Sequence, residues 1–156
     1  MKKFLCVLAL VAVIATGAAF ADGFAIGVHG GYGGLGAGGG VNFVVSGLYF
    51  YIDALGLNSS SMHISGACDF ASLFDTELVS TLGFYIRGGI GAGIWGWDNN
   101  MGLAISGRLP IGLSWKPIDL LEIFLQIVPQ IGLQVLPEVG LSSNFWGGNL
   151  GIRLWF

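Results

Sequence analysis

The 156-residue sequence contains no unbroken apolar run of the ~20 residues that a helix needs to cross a bilayer; its longest, Phe4 to Ala15, has 12. Charge is scarce, at 10% of residues against the ~25% of soluble domains. Positive charge is scarcest. From Asp22 onward only Arg87, Arg108, Lys116 and Arg153 oppose nine acids, and no basic cluster forms, which excludes nucleic acid as a partner. There are two cysteines, and Cys6 lies inside the N-terminal apolar run, so Cys68 is left alone without an intramolecular disulfide or a cysteine metal site. A chain that is 54% apolar yet so poor in charge is either buried on all sides or lives in lipid.

What is present begins with a targeting signal. Two lysines, the 12-residue apolar run and the small residues leading to Ala19-Phe20-Ala21 have the three-part layout of a secretory signal peptide cleaved after Ala21. Residues 1–21 are therefore set aside, and residues 22–156, 135 in all, make one domain.

Only helix bundles and closed barrels satisfy every backbone polar group in lipid, so periodicity chooses between them. In "LEIFLQIVPQIGLQV", residues 121–135, Glu122, Gln126, Gln130 and Gln134 all fall on even positions, while the odd ones are apolar. That is the two-residue period of a strand with one face in lipid, and a helix there would be broken by Pro129. Three neighbouring segments keep the rule. Residues 145–156 put Leu150, Ile152, Leu154 and Phe156 opposite Asn149 and Arg153. Residues 101–116 oppose Leu103, Ile105, Ile111 and Leu113 to Ser106, Arg108, Ser114 and Lys116, and residues 80–97 oppose Phe84, Ile86 and Ile90 to Tyr85 and Arg87.

The first half reads as strands over residues 23–32, 36–45, 47–54 and 61–70. The apolar parity switches between Val45 and Leu48, which a tight turn at Ser46-Gly47 explains; a bulge in one long strand is the competing account. With the turn, the count is eight, and the expected fold is all-β: a closed, antiparallel, eight-stranded up-and-down transmembrane β-barrel. The remaining connections are expected at 97–100, 116–119, 136–144 and 71–78.

The secreted, Gly-rich, all-strand chain resembles the small eight-stranded bacterial outer-membrane barrels of the OmpX and OmpA type. It is also similar to an uncharacterised spirochaetal family of such barrels, through "RLPIGLSW" and "LEIFLQIVP" in residues 108–129. The resemblance implies that Leu150, Ile152, Leu154 and Phe156 form the assembly signal read by the barrel-assembly machinery. It also implies a bacterial outer-membrane location among outer-membrane lipids and a surface where an unidentified extracellular ligand could bind. The short outer connections depart from the larger-looped members, so no adhesive role is carried over. An ending in Trp155 and Phe156 is equally at home in lipid, where a frayed terminus in water would expose both rings.

Parity also places the charges. Arg87, Arg108 and Arg153 share the lumen face with Asp53, Asp69 and Glu122, while Asp22, Asp75, Glu77, Asp98, Asp119 and Glu138 are expected at the N-terminus, turns or loops. Three cations and three anions are expected to pair there, with Gln126, Gln130, Gln134, Asn149 and the hydroxyls of Tyr49, Tyr51 and Tyr85 completing the hydrogen bonds. Such a network would close the lumen to ions. Cys68 shares the lipid parity of Ile64 and Phe70.

Three other motifs have plainer explanations. "GYGGLG", Gly31 to Gly36, fits a dinucleotide fingerprint with Asp53 downstream, but no helix-forming sequence follows, and Gly91 to Gly96 fits it again. The glycines read instead as room for bulky lumen side chains. His63 and Ser65, with Asp69 or Glu122, could form the base, nucleophile and orienting acid of a lipid-deacylating barrel, yet they fall on the lumen face. His29, His63 and Asp69 have no metal-ligand spacing. The expectation is a non-enzymatic barrel without cofactor, metal or catalytic residue, whose role is structural or surface-exposed. The alternatives are a narrow conduit for small or apolar solutes and, behind it, a membrane-embedded lipid-modifying enzyme.

Overall fold

The computed structural model describes residues 23–33, 36–55, 62–97, 100–142 and 146–156, so the proposed signal peptide lies outside the described residues. The strands are β1 (Ala25–Gly33), β2 (Gly36–Val45), β3 (Leu48–Leu55), β4 (Met62–Val79), β5 (Leu82–Trp97), β6 (Asn100–Arg108), β7 (Ile111–Ile118), β8 (Leu121–Leu136), β9 (Gly140–Ser142) and β10 (Trp146–Trp155). Every pairing between them is antiparallel.

β6 and β7 are two halves of one stave. β6 lies between the far halves of β5 and β8, and β7 between their near halves. The break falls at Leu109-Pro110, because Pro110 has no N–H to give to a ladder. Its carbonyl accepts from the Arg87 N–H, and the Leu109 N–H donates to Pro129, so the stave stays tied to both neighbours. Counting β6 and β7 together, and β9 as a short extension beside β8, eight staves remain, as the alternation of residues 101–116 predicts.

The ring closes because β10 pairs with both β1 and β8. The register gives its geometry. From Phe124 on β8, paired residues run through Gly151, His29, Gly40, Asp53, Ser65, Gly93 and Ala104 and return to β8 at Gln134, ten residues further along. Starting instead at Glu122, the circuit passes Arg153, Asn42, Tyr51 and Ser106 and returns at Gly132, again ten residues on. Eight strands with a stagger of ten, at ordinary strand spacing and rise, tilt by about 40° and place opposite backbones about 16 Å apart. That width is filled by side chains reaching in from both walls.

One end of the barrel carries two-residue turns, at residues 46–47, 80–81 and 119–120, together with Gly23 and Phe156. At the first turn Ser46 and Gly47 both have positive φ, 49° and 81°, as a type I′ hairpin turn requires; this is the turn read from the parity switch, not a bulge. The opposite end holds the longer β8–β10 connection.

The connection expected at residues 71–78 is instead strand. β4 continues to Val79 against β5, with irregularities after Asp69, Ser72 and Glu77. Each extra residue shifts the alternation by one, so the period-2 pattern that marks the other strands is lost there. Asp75 and Glu77, expected in a loop, therefore lie on β4, and β7 likewise runs to Ile118 where a turn was expected from Lys116.

The two faces are inverted relative to a water-soluble barrel. Outside are Ile90, Ile105, Leu125, Ile127, Ile131 and Leu150, all half-exposed or more. Inside, Arg153, Glu122 and Asp69 are buried to within 1%. Cys68 pairs laterally with Phe50 and Ile90 on the outer face, matching the parity expectation.

Candidate functional site

The functional side chains lie in the lumen, each placed there by strand parity. Arg153 on β10 is at the centre. Its Nη1 donates to Glu122 Oε1 at 3.0 Å, its Nε to Asn42 Oδ1 at 2.7 Å, and its Nη2 to the Tyr51 hydroxyl at 2.9 Å, while the guanidinium lies 3.8 Å from the Phe124 ring centroid. Glu122 accepts two more hydrogen bonds, from Ser114 Oγ at 2.8 Å and Trp155 Nε1 at 2.7 Å. A fully buried ion pair is tolerable only when its remaining donors and lone pairs are met in this way.

Tyr51, on the wall facing β8, joins this centre to a second one. Its hydroxyl takes the Arg153 hydrogen bond, and its ring lies 4.7 Å from the Arg108 guanidinium. Arg108 Nε is 2.8 Å from Asp69 Oδ1 across the intervening β5. The alignment is that of an ion pair without a well-formed hydrogen bond, since the same two atoms lack hydrogen-bonding partners. Charge attraction, not hydrogen-bond geometry, holds this pair.

The expected pairing of three arginines with three acids holds for two. Among the described residues Arg87 has no carboxylate partner; its guanidinium is held between the rings of Tyr49 and Tyr85, 3.6 and 3.8 Å from their centroids. Weakly hydrated, planar guanidinium is suited to such a sandwich. Asp53 pairs instead with His29 Nε2, and His29 Nδ1 faces Asn42 Nδ2 at 3.1 Å. With Asn42 donating to Nδ1, the proton sits on Nε2 and is given to Asp53, so a chain of hydrogen bonds runs from Arg153 through Asn42 and His29 to Asp53. His29 and Asn42 were not singled out as lumen residues from the sequence, although their parity opposite to Ile26 and Val28 and to Val41 and Phe43 signals it.

Of the glutamines, Gln126 accepts from the Tyr85 hydroxyl at 2.9 Å and is buried. Gln130 accepts from Ser106 at 3.3 Å and, like Gln134 and Asn149, is half-buried nearer the loop end. Apolar Phe124 and Val128 also fill the lumen; alternation reads them only as interruptions of a polar face.

Glycines make the space. A Cβ at Gly112 would lie 2.6 Å from the Tyr85 hydroxyl, and one at Gly151 would lie 2.5 Å from the Phe124 ring and 2.7 Å from His29 Cβ.

The other motifs resolve on the same frame. Of "GYGGLG", Gly31 to Gly33 lie on β1 and Gly36 begins β2, with Gly33 paired antiparallel to Gly36, so a strand and not a helix follows; residues 34–35 lie outside the described residues. His63 stacks beside Trp95, with ring centroids 5.4 Å apart, and Ser65 is paired laterally with Asp53; neither faces lipid. Asp69 and Glu122, the two acids considered for such a triad, are engaged by Arg108 and by Arg153, Ser114 and Trp155. Among the described residues no group of three His, Cys, Asp or Glu side chains is arranged to hold a metal.

Among solved structures, the N-terminal β-barrel domain of Pseudomonas aeruginosa OprF matches with a TM-score of 0.52 at 12% identity, over 87% of this chain and 98% of that one. The fold is that of a small transmembrane β-barrel. Neisserial surface protein A aligns over 86% of this chain and 96% of its own at 15% identity, with a TM-score of 0.46. A de novo designed transmembrane β-barrel aligns over 87% and 97% at 14% identity, with a TM-score of 0.41. No family model matches the sequence, and no curated protein matches it.

Proposed function

We propose that residues 22–156 form a small integral protein of the bacterial outer membrane, exported by a cleaved signal peptide, with a structural or surface-exposed role and a lumen sealed by its own side chains. The observation that carries the reading is the contact of Tyr51 with Arg153 on one side and Arg108 on the other. These residues come from well-separated staves and meet in the middle of a barrel only about 16 Å wide between backbones. The inverted faces support the membrane setting, since the exposed aliphatic belt would be a large apolar patch in water. The two-residue turns face the periplasm in this reading, and the longer connection faces outward.

The sealed middle speaks against a conduit, and the lumenal placement of His63 and Ser65 speaks against a lipid-modifying enzyme. No catalytic residue, metal or cofactor is assigned. Barrel-assembly machinery is the expected partner during insertion, and Phe156, whose N–H donates to the Phe24 carbonyl at 2.8 Å, closes the last strand onto the first. Membrane fractionation tests the proposal: the protein should be in the outer-membrane fraction, resist carbonate extraction and migrate heat-modifiably, and deletion of Phe156 should leave export intact while reducing insertion. A soluble or inner-membrane wild-type protein refutes the location, and normal amounts of embedded protein after the deletion refute the assembly role.

A further inference from the structure

The eight staves are of two lengths. β4, β5 and β8 have 16 to 18 residues and the stave of β6 and β7 runs from Asn100 to Ile118, whereas β1, β2, β3 and β10 have 8 to 10. At a rise of about 3.4 Å per residue and a tilt of about 40°, a 16-residue stave stands about 40 Å tall and a short one about 20–25 Å. Lipid covers an apolar band of about 25 Å, so the short half is matched and the tall half exceeds it by about 15 Å. Backbone hydrogen bonds from Trp155 to Leu120, from Lys116 to Thr81 and from Phe156 to Phe24 hold the turn ends of both halves near one level. The surplus therefore projects at the loop end.

This surplus is apolar on its outer face. The outward positions of β5 from Leu82 to Gly96, of β6 and β7 from Met101 to Trp115, and of β8 from Leu121 to Val135 carry no charged or hydrogen-bonding side chain except the indole of Trp115. Near the loop end Met101 and Leu141 are 66% and 75% exposed. Tilting does not absorb the excess, because a tilt that submerged the tall half would also draw down the short half, which is already matched.

A groove of about 780 Å³ is cut into the tall wall. Gly66, Ala92 and Gly107, on β4, β5 and β6, form its floor, and Ile90, Ile105 and Ile131, each at least half-exposed, stand around it. The barrel's own packing does not call for glycine there. A Cβ at Gly66 or Gly107 would have its nearest neighbour at 3.9 Å, whereas one at Gly27, Gly40 or Gly89 would meet backbone at 2.0, 2.1 or 2.4 Å. Glycine weakens a strand and marks a place where another chain comes close; at Gly66 and Gly107 the free side is the outside.

We infer that the tall wall is an interface with a second copy of this chain, the two barrels related by a two-fold axis along the membrane normal. Such an axis keeps both loop ends on one side of the membrane and brings the same patch of each copy together. Isoleucines of one copy then enter the groove of the other, whose small residues allow the backbones to approach. Three staves, about 15 Å wide and about 40 Å tall, present about 600 Å² per partner, or about 1,200 Å² in all, which reaches the range of specific interfaces. A lipid acyl chain would fill the groove and leave the surplus bare; a second copy covers both. The inference rests on the membrane-embedded barrel proposed above.

Sedimentation equilibrium of the full, heat-modifiable barrel in density-matched detergent micelles tests it. The wild type should follow a monomer–dimer equilibrium, with the dimer predominating at high protein-to-detergent ratio. Gly66→Leu and Gly107→Leu, which fill the groove and stay apolar, should each raise the dissociation constant by about tenfold or more. Gly30→Leu, on the outer face of the short half and with its nearest neighbour at 3.7 Å, should change it by less than about twofold. A wild type that is monomeric at every ratio, or a dimer indifferent to both groove-filling variants, overturns the inference. So does a monomer that retains lipid acyl chains through purification and loses them in both variants, which makes lipid the occupant. Heat-modifiability is read on the same samples: a heat-modifiable monomer overturns the interface and leaves the barrel standing, whereas a protein without heat-modifiability overturns both.

Discussion

Glu122 and Arg153 provide the sharpest energetic test of the lumen. Both side chains are at least 98% buried, and three of the hydrogen bonds described converge on the Glu122 carboxylate. Removing one member of a buried pair leaves an uncompensated charge and costs about 3–5 kcal/mol, so Glu122→Ala and Arg153→Met should each lose that much. The double variant loses no charge balance. It sacrifices the hydrogen bonds to the neutral partners Asn42, Tyr51, Ser114 and Trp155, but it leaves no buried charge unpaired, and replacing a buried pair outright is far cheaper than breaking it, so the double loss should be no larger than a single one, about 4 kcal/mol, against the 6–10 that additivity would give. The coupling energy should therefore be about 2–6 kcal/mol. Urea unfolding of the protein refolded in detergent micelles gives the values; with a slope near 2 kcal/mol/M, each single variant should lower the midpoint by about 2 M. Additive losses, with coupling below about 0.5 kcal/mol, would show that the lumen solvates each charge separately and that the pair does not organise it.

Arg108→Ala leaves Asp69 buried without its counter-ion and should cost about 3–5 kcal/mol in the same assay, whereas Lys116→Ala, which removes an exposed lysine 4.3 Å from the Trp155 ring centroid, should cost about 0.5–1; equal losses would count against Arg108 as a paired lumen residue. Gly112→Ala places a methyl group 2.6 Å from both the Tyr85 hydroxyl and the Leu125 carbonyl and should destabilise by about 1–3 kcal/mol, while Gly96→Ala, with nothing within 4 Å, should stay within about 0.5. Cys68, on the outer face between Phe50 and Ile90, should react in intact membranes with a lipid-soluble maleimide and not with a charged one. Rapid reaction with the charged reagent would move that strand's register by one.

Much of this architecture is legible in the sequence because lipid on one side and a polar lumen on the other impose a strict two-residue alternation. Residues 121–135 show it cleanly, and the parity switch at Ser46-Gly47 locates a turn to the residue. The same signal fails where its physical cause fails. Along residues 69–79 three irregularities in pairing shift the alternation, and the apolar Leu73, Phe74 and Leu78 no longer fall on one parity, so strand reads as loop. Parity assigns a side chain to a face but carries no information about which residue it meets across the barrel, since partners are fixed by the ten-residue stagger. This is why the lumenal arginines and acids were recognised, yet the pairing of Asp53 with His29 and the enclosure of Arg87 by Tyr49 and Tyr85 were not.

The central claim, that side chains seal the barrel midway, is tested most directly by single-channel recording of the purified wild-type protein in planar bilayers. With Tyr51 held between Arg153 and Arg108, the recording should show no steady conductance under symmetric salt. Stable, long-lived openings in the wild type would contradict the sealed lumen and establish the conduit in its place.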